Sequence, residues 1–347
     1  AGRIHRIRDH LPQALWVSVF LSLIVAPLCY FSHLGLGWLG IDAQTAEKSS
    51  EYIKMVAFGF PALGIFMALR YHCQGVGITS PFAVAAVVGF IANIPLNYMF
   101  IFGFGDIPAM GAQGCGIATA ISMWLSAIVI TVYVLQKKSL KQYMPPWSPV
   151  APNANTIKEI LVLGSPVGAT MFLETAVFAG IALLVSSLGD TAIGAHQIAF
   201  NVWDMFYIPM LAIGSAMATR MGHALGAQNQ QGVFMALKAG MLCSGIISLT
   251  TMAVLLTLPI TIVGIYSESP DITLLAARLL SLAALFVIID AVQIVGSFSM
   301  RAYKKTRFPF IASMVAYWLI ALPLGYYLGI VRADNLFDGA AGFWVGI

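Results

Sequence analysis

Charge is what this sequence is short of. Only 9% of its 347 residues are Asp, Glu, Lys or Arg, against roughly 25% in an ordinary soluble domain, while 59% are hydrophobic. A single soluble core cannot absorb that much apolar surface, so lipid is the expected solvent. Cysteine is scarce as well. Cys29, Cys73, Cys115 and Cys243 are scattered through apolar stretches with no CxxC pair and no His at ligand spacing, and read as small core residues rather than a disulfide framework or a metal site. No HExxH, GxSxG or paired His/Asp motif appears, which leaves a membrane-embedded enzyme without its chemistry. Gly35-Leu-Gly-Trp-Leu-Gly40 fits GxGxxG but follows a membrane helix where a nucleotide fold needs a strand, so it is a loop coincidence. The net charge of +4 comes from basic residues in short loops. It reports membrane orientation and gives no reason to expect nucleic acid. No amino-terminal signal peptide is read in the basic opening segment Ala1 to Arg8.

What is present is a series of apolar runs, each long enough to cross about 30 Å of hydrocarbon as roughly 20 helical residues. Nine spans are expected, at about 12–39, 51–74, 81–103, 112–136, 159–188, 191–221, 232–258, 272–300 and 309–331. Helices are required because lipid offers no partner to an open strand edge. With alternating direction, one set of loops gathers Arg3, Arg6, Arg8, Arg70, Lys137, Lys138, Lys141, Lys158, Arg220, Arg301, Lys304, Lys305 and Arg307. The other gathers Asp42, Glu47, Glu51, Asp106, Asp190, Glu268, Asp271, Asp334 and Asp338, with few basic members. The basic set faces the cytoplasm. The interruption at 137–158 holds Pro145, Pro146, Pro149 and Pro152 and reads as a cytoplasmic linker between an amino-terminal lobe, 1–136, and a carboxyl-terminal lobe, 159–347.

At a constant offset of 228 the chain matches itself without gaps: Pro81-Phe82 with Pro309-Phe310, Pro95-Leu96 with Pro323-Leu324, Tyr98 with Tyr326, and Gly111 to Gly114 with Gly339 to Gly342. The second copy carries two further helices upstream of the matched region. The expectation is therefore an all-α polytopic membrane protein of two parallel six-helix lobes, from which this chain lacks about two amino-terminal helices and the last helix.

Ionisable groups in mid-span cost roughly 2.5–3.5 kcal/mol on insertion scales, so each is a functional candidate. Three acids qualify. Glu174 lies mid-helix with Thr170 and Phe178 one turn to either side; Asp290 shares a face with Phe286, Gln293 and Ser297; Asp204 continues a stripe of Gln197 and Asn201. All lie in the second half, which implies a polar cavity there. The bland reading makes each carboxyl a hydrogen-bonded packing element; Asp204 has the weakest claim beyond it, because it could pair with His196 or Asn201. His196 reads as a helix-packing residue, and Arg278, near a helix end, snorkels. The functional reading is coupling: a buried carboxylate pays for its charge, and binding H⁺ or Na⁺ removes that charge and changes which side the cavity opens toward. With Phe286, Phe178, Trp203 and the many methionines, the same acids suit a flat aromatic cation.

These residues resemble the multidrug and toxic compound extrusion (MATE) family, in its bacterial NorM-type branch. The likeness extends over essentially the whole chain, most specifically at Asn93-Ile-Pro-Leu-Asn97, Gly114 to Thr119, Ala195-His-Gln197, Asp290 to Gln293 and Arg301 to Lys304. It implies a multi-pass protein of the bacterial inner membrane that exports cationic drugs and dyes in exchange for Na⁺ or H⁺, functional as a monomer, with no cofactor beyond the coupling ion. By position, Glu174 and Asp290 match the family's cation-coupling acids, which would hold Na⁺ if sodium is the ion, and Gln197 and Asn201 match polar cavity residues. Phe286 stands where close relatives can carry Tyr, so a hydroxyl ligand is missing. The alternative is a lipid-linked precursor flippase of the same superfamily, which would want Arg and Lys in its cavity where this chain has acids. An ion channel is disfavoured because acids in one half only make a poor selectivity ring.

Overall fold

The computed structural model describes residues 2–36, 43–145, 150–332 and 339–346; Asp42, Asp334, Asp338, Pro146, Pro149 and the span 37–40 of the glycine motif lie outside them. Among the described residues the structure is helical throughout, with one isolated bridge between Phe104 and Ile107 and no strand. Eight helices among the described residues are long and apolar enough to cross a bilayer, and a bent pair, taken as one broken span, makes nine.

The chain divides into two compact units, residues 1–160 and 161–347. The first contains α1 (Gly2–Tyr30), α2 (His33–Leu36), α3 (Ala43–Ala57), α4 (Phe60–Gly75), α5 (Ser80–Phe102) and α6 (Gly111–Gln136). Helix α1 begins ten residues before the expected span, because the basic segment ahead of the apolar run is already helical. The single helix expected at 51–74 is instead α3 and α4, bent by 52°. Pro61 lies in the first turn of α4, where its missing N–H costs nothing. At the break, the Phe58 carbonyl accepts from the Trp124 indole N–H at 3.0 Å, so a backbone group freed inside the membrane is still satisfied. Leu11, Phe66, Leu69, Ala85, Ile130 and Val134 form the buried centre of this unit.

The proline-rich stretch, expected to be a linker, is in part a strap on α1. A 3₁₀ turn, Lys138–Tyr143, buries Leu140. Beyond it Arg8 Nε donates to Met144 O (2.8 Å), Trp16 Nε1 to Val150 O (3.0 Å) and Gln13 Nε2 to Ala151 O (3.1 Å), while the Gln13 carbonyl accepts from Asn153 N (2.8 Å). Proline removes backbone donors, so the segment cannot satisfy itself by helix formation and takes its partners from α1. Asn153 Oδ1 then accepts from Asn155 N and Thr156 N, which starts α7 at Ala154 rather than at 159.

The second unit holds most of α7 (Ala154–Ser186), then α8 (Asp190–Gly226), α9 (Gln230–Thr257), α10 (Pro259–Val263), α11 (Pro270–Ala302), α12 (Arg307–Ser313), α13 (Leu322–Tyr326) and α14 (Ala340–Gly346). Helices α8, α9 and α11 pack on one another through Ala195, Ala199, Val202, Leu255, Leu279 and Leu280. The last span, Arg307–Val331, is α12 and α13 joined and followed by wide π-helical turns at Met314–Ala321 and Tyr327–Val331. Pro323 lies between them; its ring cannot follow a regular α-turn behind it, and wide turns accommodate it.

The 228-residue repeat has a structural counterpart inside each unit. Gly111 and Gly339 both take positive φ, +56° and +61°, at the start of their helices. A Cβ on Gly114 would strike the backbone of Phe100, and one on Gly342 would strike that of Leu328 and Gly329. Both pairs of contacts are separated by the same offset, so the glycine clusters recur because the same close helix approach is built twice.

Candidate functional site

Glu174 and Asp290 face one cavity. The space, ≈ 350 Å³, lies wholly within the second unit and is lined from α7 by Glu174, Thr175 and Phe178, from α8 by His196, Gln197, Phe200, Trp203, Asp204 and Tyr207, and from α11 by Phe286 and Asp290. Tyr317 and Trp344 close the remainder. Helix α7 packs inward through Val177, Ile181 and Val185, all fully buried at i, i+4 and i+8. The next stripe on the same helix, Glu174 and Phe178, is thereby turned to the cavity.

Ser313 and Arg301 lie near Glu174 and Trp203 near Asp290. Tyr207 and Tyr317 line the same cavity as both carboxyls. Near Glu174 the π-helical segment also grips α7 directly, with Trp318 Nε1 donating to Leu173 O at 3.3 Å.

The aromatic wall is continuous. Trp203 stacks on Tyr207 (centroids 4.5 Å apart, 22° between planes) and on Phe200 (6.1 Å, 28°), and Phe178 lies 5.1 Å from Phe200 and 5.6 Å from Trp203. Ring faces carry negative charge density, so this wall and the carboxylates attract the same species, a flat cation.

Of the residues singled out from sequence, Glu174, Asp290, Asp204, Phe178, Phe286 and Gln197 meet at this cavity, and Asn201 does not line it. Its amide donates to the Gln197 carbonyl one turn back (2.8 Å). The expected Asp204 partners are engaged elsewhere, Asn201 in that bond and His196 with Trp344, whose indole reaches Nδ1 at 3.1 Å. Gln293 sits 3.5 Å from the Tyr317 hydroxyl, and Arg278 is exposed near the start of α11. The residues missed from sequence include Thr175, Phe200, Tyr207, Tyr317 and Trp344. Among the described residues no three or more His, Cys, Asp and Glu side chains group as metal ligands.

The first unit has its own cavity, ≈ 310 Å³, lined by Leu63, Phe66, Gly89, Asn93, Thr119 and Ser122 among others. Asn97 donates to Asn93 (2.7 Å) and Asn93 to Ser122 (3.1 Å), so the polar lining is neutral where the second unit's is acidic.

The sequence matches the family model described as MatE over residues 1–99 and 166–327. It is 34% identical over its whole length to the multidrug resistance protein NorM of Photobacterium profundum and 35% identical to the multidrug resistance protein MdtK of Proteus mirabilis, spanning 76% of each. In fold it is similar to the crystal structure of the eukaryotic MATE transporter AtDTX14, with a TM-score of 0.89 at 19% identity, covering 99% of this chain and 75% of that one.

Proposed function

The chain belongs to the MatE family, and from that premise we propose that this multidrug efflux transporter expels organic cations in exchange for Na⁺ or H⁺, with Glu174 and Asp290 as the coupling acids. It is a membrane transporter and not an enzyme. The observation that carries the antiport reading is that two acids from different helices, α7 and α11, face one aromatic-lined cavity.

The mechanism follows from competition. An organic cation enters the cavity, lies against Phe178, Trp203 and Phe286, and is held by the carboxylate charge. A coupling ion arriving at Glu174 or Asp290 cancels that charge and weakens the hold on the drug, which leaves on the side then open. Moving one charge down a 100 mV potential supplies about 2.3 kcal/mol, and a concentration gradient adds to it. Alternating access of the cavity, operation as a monomer and residence in a bacterial inner membrane complete this reading.

The test is ethidium efflux from proteoliposomes with a Na⁺ gradient and a pH gradient imposed separately. Efflux that follows one gradient, and is lost in Glu174→Gln and in Asp290→Asn, supports the reading and names the ion. Efflux in neither gradient from a correctly inserted protein would favour a lipid-linked precursor flippase.

A further inference from the structure

His196 and Trp344 form one wall of the second unit's cavity, and neither has a part in the coupling scheme above. His196, on α8, is 2% exposed; Trp344, on α14, is 7% exposed. An indole N–H can only donate, so His196 Nδ1, 3.1 Å away, is the acceptor. The imidazole is then neutral with its proton on Nε2, and taking up a second proton would break the bond. The two rings also meet edge to face, 5.9 Å apart at 67°, and the imidazole stacks on Phe200 at 6.3 Å and 15°.

The helix that carries the indole has no room to retreat. Helix α14 docks backbone to backbone on the preceding span: a Cβ on Gly342 would come within 2.7 Å of Gly329 Cα, and one on Gly346 within 2.8 Å of Gly325 Cα. Phe343, next to Trp344, is fully buried. A bulky ring is therefore held against a cavity of ≈ 350 Å³, by the hydrogen bond it donates to α8 and by the glycine contacts of its own helix.

We propose that Trp344, positioned by His196, is a specificity-determining wall that sets how large a flat cation the cavity admits, without taking part in ion coupling. This rests on the reading of the cavity as an organic-cation site. A site bounded by one immovable ring discriminates by size, and a single methylene in an apolar pocket already changes selectivity by about 10- to 200-fold.

The test uses purified full-length protein and two planar cationic dyes, ethidium and the bulkier rhodamine 6G. Binding is followed by fluorescence anisotropy and efflux in proteoliposomes. In Trp344→Ala the ratio of the rhodamine 6G Kd to the ethidium Kd is expected to fall about tenfold, with the gradient dependence of efflux unchanged. His196→Phe, which keeps a ring but frees the indole, moves the ratio the same way by less. His196→Gln, which restores an acceptor, stays near wild type. Trp344→Phe, with a smaller ring, lowers the ratio by less than Trp344→Ala, and it and His196→Phe carry the test if the alanine variant fails to insert. A ratio unchanged in Trp344→Ala, Trp344→Phe and His196→Phe, or both Kd values moving in proportion, overturns the proposal while leaving the exporter reading intact. Wild-type protein that binds neither dye overturns the cavity reading and the proposal together.

Discussion

Asp290→Asn removes one charge from the second unit's cavity and little else. Asparagine keeps the shape of the side chain, so the stacked wall of Phe200, Trp203 and Tyr207 stays in place. What is lost is attraction for a bound cation. Two unit charges 4 Å apart attract by about 4 kcal/mol at an effective dielectric constant near 20. That figure is a ceiling, because Asp290 is only half-buried and the cavity admits water. Screening to about half leaves roughly 2 kcal/mol, or about 30-fold in affinity at 1.36 kcal/mol per decade. Ethidium Kd is therefore expected to rise about 30-fold, measured by anisotropy on purified protein. Gradient-driven efflux should disappear, because one of the two coupling charges is gone. The reasoning is refuted by a variant with an unchanged ethidium Kd, or by one that still drives efflux from an imposed ion gradient.

Three further outcomes are expected. Asn201→Ala should leave ethidium efflux within about twofold of wild type, since its amide bonds its own helix and does not line the cavity; a loss as large as that of Asp290→Asn would place Asn201 in the site. Gly342→Ala should lower the melting temperature by several degrees, because overpacking costs about 1–3 kcal/mol and the atoms it meets are backbone; Gly168→Ala, with open space around it, should not. Gln13→Ala removes a buried side chain, 2% exposed, that bonds the Ala151 carbonyl and the Asn153 N–H; those residues are themselves exposed, so the loss is about 1 kcal/mol. Faster hydrogen exchange at the Asn153 amide, with drug efflux retained, is the expected signature.

The spans are legible in the sequence because the membrane imposes one rule on every segment, a long apolar helix. The departures come where something local competes. The break between α3 and α4 rests on a carbonyl satisfied by Trp124, 66 residues away, which no local pattern announces. In the cavity, the polar stripe Gln197, Asn201, Asp204 reads as the lining of α8, but the face centred on the cavity is the adjacent one, His196, Phe200, Trp203 and Tyr207 at the same helical spacing. Polarity marks the edge of that face and aromatics its middle, and aromatic residues in a membrane helix are too common to stand out. Tyr317 lies in a π-helical turn and Trp344 on a seven-residue helix, where a 3.6-residue period carries no information. Glu174 and Asp290 are visible for the opposite reason: a charge in mid-membrane is expensive enough to need a cause.

The strap on α1 bears on how this protein could be enlarged for imaging. A proline-rich loop between two units is where a fiducial protein would ordinarily be inserted, but here added residues would tear at the bonds from Arg8, Gln13 and Trp16. The turn from α8 to α9 is the better insertion point. Gln228 is exposed there, in a left-handed conformation at φ 57°, and Asn229 caps α9 on its own through Gly232 N, so a graft placed ahead of that cap leaves both helices their own terminators.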